Sequence, residues 1–284
     1  MTAPYNTIDH LIEDIVTLPS LPGAVAELNE KLSEPDCSLS EIGEVVSNDP
    51  AIAMKALRLV NSAYYGLGNE VGSVEQAVNL LGPKVIKNLV LTASVFESLG
   101  RAAEDLLRHS VTTGLAMRAI INHRGAAANL DADEGFIYGL LHDVGIIIFH
   151  EFLPKEHERA VQMVRSGEKP LHLAEIEIIG VSHADAGARL ATTWKLSDRL
   201  ANAIAGHHDL DACGGPEYRS LAAMMHVAEY ISAQAGFEPL PKVITDTDPA
   251  IWAEAGITSG DLPAILATFF DSISDTEELV ALAA

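Results

Sequence analysis

The chain has 284 residues, 48% of them hydrophobic, and carries 18 Lys and Arg against 40 Asp and Glu, for a net charge of -22. That length and apolar content allow a substantial core and exclude a disordered chain, while a field of that sign repels phosphate backbones and anionic bilayers, so neither nucleic acid nor a membrane surface is expected as a partner. Cys37 and Cys213 stand far apart and outside any CxxC pair, which predicts a reducing, cytoplasmic setting with no disulfide framework.

Residues 1–10 contain no basic segment followed by an apolar run, and the most apolar stretches are broken by Lys87 or by His142 and Asp143, short of a spanning helix; neither export nor membrane insertion is expected. Along the chain, apolar residues recur three and four apart over 39–46, 52–60, 74–81 and 85–96. Ser38 stands three before Glu41 and Ser73 three before Gln76, both spaced as capping boxes. Breakers at Pro19, Pro22 and Gly23, at Asp49 and Pro50, at Gly66 and Gly68, and at Gly82 and Pro83 cut this half into short helices. After Gly100 the helices lengthen, with 104–121, 134–149, 174–193, 197–207 and 218–233 as the predicted ones. The tail from Gly236 is interrupted by Pro239, Pro241, Pro249 and Pro263 and ends in an acidic, apolar helix from about Thr276. No run alternates as a strand does. The fold class is therefore all-α and multi-helical, with an N-terminal helical subdomain over 1–100 and a larger helical one, including the tail, over 101–284.

The densest chemical signal is Asp105, His109, His142, Asp143, His183, His207, His208 and Glu229. His142 and Asp143 interrupt an apolar helix over 136–149, where an unpaired imidazole beside a carboxylate costs several kcal/mol unless both find partners. A metal ion satisfies both at once. Asp105 and His109 lie four apart, on one face of a helix, and supply one wall of such a site. Imidazoles with one or two carboxylates suit Fe, Mn or Zn better than Ca or Mg, and nothing calls for an organic cofactor. Taken singly, each histidine is also explained as a hydrogen-bonded core or surface residue, and His10, His123, His150, His157, His172 and His226 are left to that reading.

These residues sit within longer stretches that resemble a known family. Leu18-Pro19-Ser20-Leu21-Pro22, the segment IGEVVSNDP ending at Pro50, Leu57 to Gly66 as LRLVNSAYYG, and SVEQAVNLLG ending at Gly82 resemble the N-terminal part of an HDOD domain. His109-Ser110, Gly139 to Gly145 as GLLHDVG, Glu177 to Gly180 leading to His183 and Gly187, Trp194-Lys195-Leu196 and Ile204 to His208 as IAGHH continue the likeness to about residue 233. The resemblance implies a helical fold related to HD phosphohydrolases, used in bacteria as a signalling or regulatory module acting through a protein partner. In the related HD-GYP phosphodiesterases the metal ligands match His109, His142, Asp143, His183, His207 and His208, Asp105 falls where some place a Glu, and Glu229 stands for their late Asp.

Two departures bear on catalysis. Those enzymes follow the HD pair with Gly-Lys one residue further on, whereas this chain reads Val144-Gly145-Ile146, and the stretch from His207 to Pro216 keeps only an echo of the GYP loop. The resemblance thus leaves two functions open: a regulatory module with a retained metal site and little or no catalysis, and a metal-dependent phosphohydrolase. The missing cation at Ile146 counts against the second.

Overall fold

A computed structural model describes residues 23–32, 36–61, 70–83, 85–87, 104–237 and 248–273, with Leu11, Glu34, Leu67 and Val90 as single positions between them. The proposed boundary near Gly100, His10, the Leu18 to Pro22 motif, the Ser62 to Gly66 stretch and the final helix expected from Thr276 lie outside the described residues. Helices α1 (Gly23–Leu32), α2 (Leu39–Ser47), α3 (Pro50–Val60) and α4 (Val74–Leu81) form the N-terminal part. The larger part holds α5 (Glu104–Arg124), α6 (Ala132–Leu141), α7 (Val144–Phe152), α8 (Pro154–Arg165), α9 (Leu171–Ile178), α10 (His183–Thr193), α11 (Asp198–Gly206) and α12 (Pro216–Gln234). Helices α13 (Pro249–Glu254) and α14 (Leu262–Ile273) follow, and no strand occurs among the described residues.

The local signals act as their chemistry dictates. The Ser38 side chain accepts from the Glu41 backbone N–H and Glu41 reaches back to Ser38, closing a full capping box. At α4 the box is half made: Ser73 accepts from Gln76 N–H, but the Gln76 amide oxygen takes the N–H of Gly72 instead. Two predicted helices are each two. The stretch 134–149 breaks at His142 and Asp143 into α6 and α7, and 174–193 breaks at Gly180, whose φ of 108° is open to glycine, into α9 and α10. Helices α1, α8, α13 and α14 carry no counterpart among the expected elements. By length and composition alone the run Ala132–Phe152 would suffice to cross a membrane, but it is broken at His142 and Asp143, as the sequence predicts, and 83% of its most apolar 18-residue window is buried inside the fold.

Helices α5 and α6 pack along their length, α12 and α14 lie against α5, and α10 joins α7 to α11. Buried side chains from Leu28 and Val46 through Leu115, Phe149, Leu190 and Met225 to Phe269 form one apolar core. A second, smaller cluster unites Ile146 with Ala160, Val161, Val164, Leu171 and Ala174 under α8 and α9.

Glycines set the two closest approaches. A Cβ at Gly139 would stand 2.6 Å from the Thr113 carbonyl oxygen and 2.7 Å from Gly114 Cα, so α5 and α6 touch backbone to backbone. A Cβ at Gly145 would overlap the His183 carbonyl oxygen and approach the Gly187 nitrogen to 2.6 Å, which brings the start of α7 against the start of α10. Alanine at Gly139 or Gly145 has only backbone to displace, and each is expected to lower unfolding stability by roughly 1–3 kcal/mol or more. Urea denaturation checks this against Gly72→Ala, where nothing lies within 4 Å and the change should be under about 1 kcal/mol.

Candidate metal centre

The break between α6 and α7 is the seed of the site. His142 closes α6, and Asp143 stands at the N-terminus of α7 with its side chain making no capping bond, which leaves the carboxylate to face inward. His109 comes from the second turn of α5, His183 opens α10, His207 closes α11 with His208 next to it, and Glu229 lies on α12. The Gly145 approach places His183 beside Asp143.

Asp143 is shared between two sets of imidazoles. Its Oδ2 lies 3.3 Å from His142 Nε2 and 3.6 Å from His109 Nε2; its Oδ1 lies 3.3 Å from His183 Nε2 and 3.6 Å from His207 Nε2. Candidate ligand atoms of Asp143, His183, His207 and His208 fall within 4.8 Å of one another, as do those of His109, His142, Asp143 and Glu229. All but His208 are buried, with His142 and His207 0% exposed and Asp143 4%; His208 is half-buried as a residue, although its side chain is only 5% exposed. Asp105 is a correction to the expected set. It is exposed in the first turn of α5 and joins neither group, because the ligand-bearing face reaches the interior only one turn later, at His109.

Each ring is oriented from behind. His109 Nδ1 bonds the Phe237 carbonyl at 2.7 Å, His142 Nδ1 that of Gly139 at 2.6 Å, and His207 Nδ1 that of Ile204 at 2.6 Å. A carbonyl only accepts, so Nδ1 carries the proton and the lone pair is left on Nε2, as in metal-ligating histidines. The Phe237 carbonyl reaches His109 because α12 ends in a turn at Gly236, φ 91°, where Gly236 N–H bonds the Ala233 oxygen and Phe237 N–H that of Ser232. Glu175 Oε2 takes both the ring Nδ1–H of His183, at 2.6 Å, and its backbone N–H, at 2.8 Å. The His172 ring stacks on His208 with centroids 4.4 Å apart.

This orientation points lone pairs at one another. His109 Nε2 is 3.2 Å from His142 Nε2, and His183 Nε2 is 2.9 Å from His208 Nε2. Each contact is repulsive unless a proton or a cation lies between. Burial and the neighbouring His142 push His109 down to about 4, burial brings His207 to about 4, and burial with His207 and His183 carries His208 well below its usual range. Burial also works against His183 and His142, but Glu175 and Asp143 together outweigh it for His183, and Asp143 does so for His142, raising both. The Asp143 carboxyl stays ionised well below its ordinary value, since His142 and His183 overcome its burial. One ring in each facing pair thus has a raised affinity for a proton, where a cation would sit. His207 Nε2 and Asp143 Oδ1, buried with no hydrogen-bond partner, complete a donor set that fits a divalent transition metal.

Comparison with known proteins identifies the family and the fold. The HDOD domain family model matches residues 18–210. The chain belongs to the HDOD family. An uncharacterised protein of Treponema pallidum is 27% identical over 239 residues, 82% of this chain, and the chain spans about half, 46%, of that relative's length. The structure of an HDOD domain protein of unknown function from Geobacter sulfurreducens superposes with a TM-score of 0.78 at 24% identity, covering 96% of this chain and 95% of that one. A provisionally named phosphohydrolase from Shewanella amazonensis gives 0.76 at 24% identity, over 96% and 98%. At such identity these two show a shared fold.

Spacing alone left Glu175 and His226 out of the site. Glu175 sits in an apolar stretch beside the equally spaced but exposed Glu177, so nothing local separates the two. His226 precedes Glu229 by three on one helix, a spacing that does bring two ligands to one face. Replacing Glu175 with Gln keeps the side chain's size but removes the charge that orients His183. Metal affinity in an HDOD chain altered in this way is expected to fall about 10- to 100-fold, read by chelator competition.

Proposed function

We propose that this chain is a regulatory HDOD module whose histidine and aspartate cluster holds divalent metal as a closed structural or sensing centre, with little or no turnover of phosphoesters. The observation that carries this reading is the surroundings of Ile146. Its side chain is buried in the apolar cluster with Ala160, Val161, Val164 and Leu171 and offers no cation to a substrate phosphate. Among the described residues the ion pairs of Asp143 are all with histidines.

In this reading His109, His142, Asp143 and Glu229 would hold one ion, and His183, His207, His208 and Asp143 would hold another. A bound metal of this class supplies Lewis acidity and an acidified water. The chain's own residues orient it: the Gly139, Ile204 and Phe237 carbonyls and Glu175 fix which ring nitrogen faces inward. Hydrolysis needs, in addition, groups that draw a phosphodiester in and balance its developing charge. A chain of net charge -22 repels such a substrate, and Ile146 leaves that repulsion unopposed at this position. Signalling output would then pass through the helical surface to a partner protein, with the input coming from another protein or a small ligand.

The reading is tested by elemental analysis of protein purified without chelator, run beside hydrolysis assays on cyclic dinucleotides and a generic phosphodiester. Bound Fe, Mn or Zn without hydrolysis is the expected result; rapid hydrolysis that Asp143→Ala abolishes would establish the phosphohydrolase instead. Ile146→Lys is expected to destabilise the fold by several kcal/mol, because it puts an ammonium group into an apolar cluster, and to restore at most a trace of turnover. Denaturant melts and the same assays give both numbers.

A further inference from the structure

We propose that His208, His226 and Glu229 form a third divalent-metal position beside the two that share Asp143. Candidate ligand atoms of these three residues lie within 4.8 Å of one another. His226 and Glu229 are three apart on α12 and so face the same way, toward the end of α11 where His208 stands.

The preparation of His226 carries the argument. Its Nδ1 bonds the His207 carbonyl at 2.7 Å, the same commitment that His109, His142 and His207 make to Phe237, Gly139 and Ile204. The proton is therefore on Nδ1 and the lone pair on Nε2. That Nε2 is buried with no hydrogen-bond partner, on a residue only 8% exposed. A fourth ring is thus held by a carbonyl from behind and presents an unmet acceptor in front, next to a carboxylate and another imidazole. Two imidazoles and one carboxylate select Mn, Fe, Co or Zn over Mg and Ca, and three protein ligands leave coordination positions for water.

His208 joins this position to its neighbour. Its Nε2 faces His183 Nε2 at 2.9 Å, while its Nδ1 lies 3.9 Å from Glu229 Oε2. A neutral imidazole has one lone pair, so His208 can serve only one side at a time and the third position competes with its neighbour for that ring. The third ion would therefore bind last and most weakly. The inference rests on the proposal that the main cluster binds metal, and the test separates the two.

The probe is Zn(II) alone, added by equilibrium dialysis over a chelator-buffered series to the full chain, with bound metal counted by elemental analysis. Wild type is expected to take up tight equivalents and then one weaker equivalent. His226→Asn retains an amide N–H at the Nδ1 position for the His207 carbonyl but has no lone pair where Nε2 stood; it is expected to lose the weak equivalent and keep the tight ones. His226→Glu, which replaces the ring by a carboxylate that reaches the Nε2 position, is expected to recover the weak equivalent in part and serves if the Asn variant does not fold. Equal uptake by wild type and a folded His226→Asn overturns the third position, as does loss of every equivalent together, which would make His226 only a prop for His207. Wild type that binds no Zn(II) at all overturns the metal reading of the main cluster along with it.

Discussion

The arrangement turns on one buried carboxylate. Asp143 lies almost out of contact with water, paired with four imidazoles. An isolated anion in such a place is strongly disfavoured, so the fold must either protonate the rings around it or provide room for cations. The opposite directions of the pKa shifts are the protein-only answer to that demand: His142 and His183 take the positive charge, while His109, His207 and His208 give it up. Nearly everything else near the centre either brings the four rings to Asp143 or prevents them from turning away.

That supporting layer is mostly backbone. Carbonyls at Gly139 and Ile204 belong to the turn just before each ring, so the last turn of a helix holds its own histidine. The Phe237 carbonyl is different, since it comes from just beyond the end of α12 and ties the entry to the tail to the second turn of α5. The tail is more than an appendage in this respect: Ala255, Ile257, Ile265 and Phe269 are buried in the main core, and α14 packs on α5, the helix that carries His109. A ring fixed by a carbonyl cannot flip to present its other nitrogen without leaving a buried N–H unpaired, which costs about 1–3 kcal/mol.

A shared fold does not by itself assign an activity, because function rests on the particular groups set into it. What differs here is local. Ile146 follows the HD pair on the first turn of α7, and α8 and α9 close an apolar cluster over it. A metal centre set in such surroundings could stabilise, sense or gate, and its ions would meet ligands that burial keeps neutral at ordinary pH for three of the five rings.

Much of the molecule was legible in the order of residues. Three- and four-residue apolar spacing, the Ser38 and Ser73 caps and the absence of alternation determined that the chain is helical, since those signals act within one or two turns and need no partner. Rare polar residues in an apolar helix likewise exposed His142 and Asp143 as chemistry in search of a counterpart. The tertiary structure decided what spacing cannot carry. It split two expected helices at the points where ligands must turn inward, and it left Asp105 in solvent although it stacks one turn from His109. It also chose Glu175 over Glu177 and brought His226 to His208. Each of these depends on which way a helix faces after packing, set here by backbone contacts at Gly139 and Gly145 that join residues far apart in the chain.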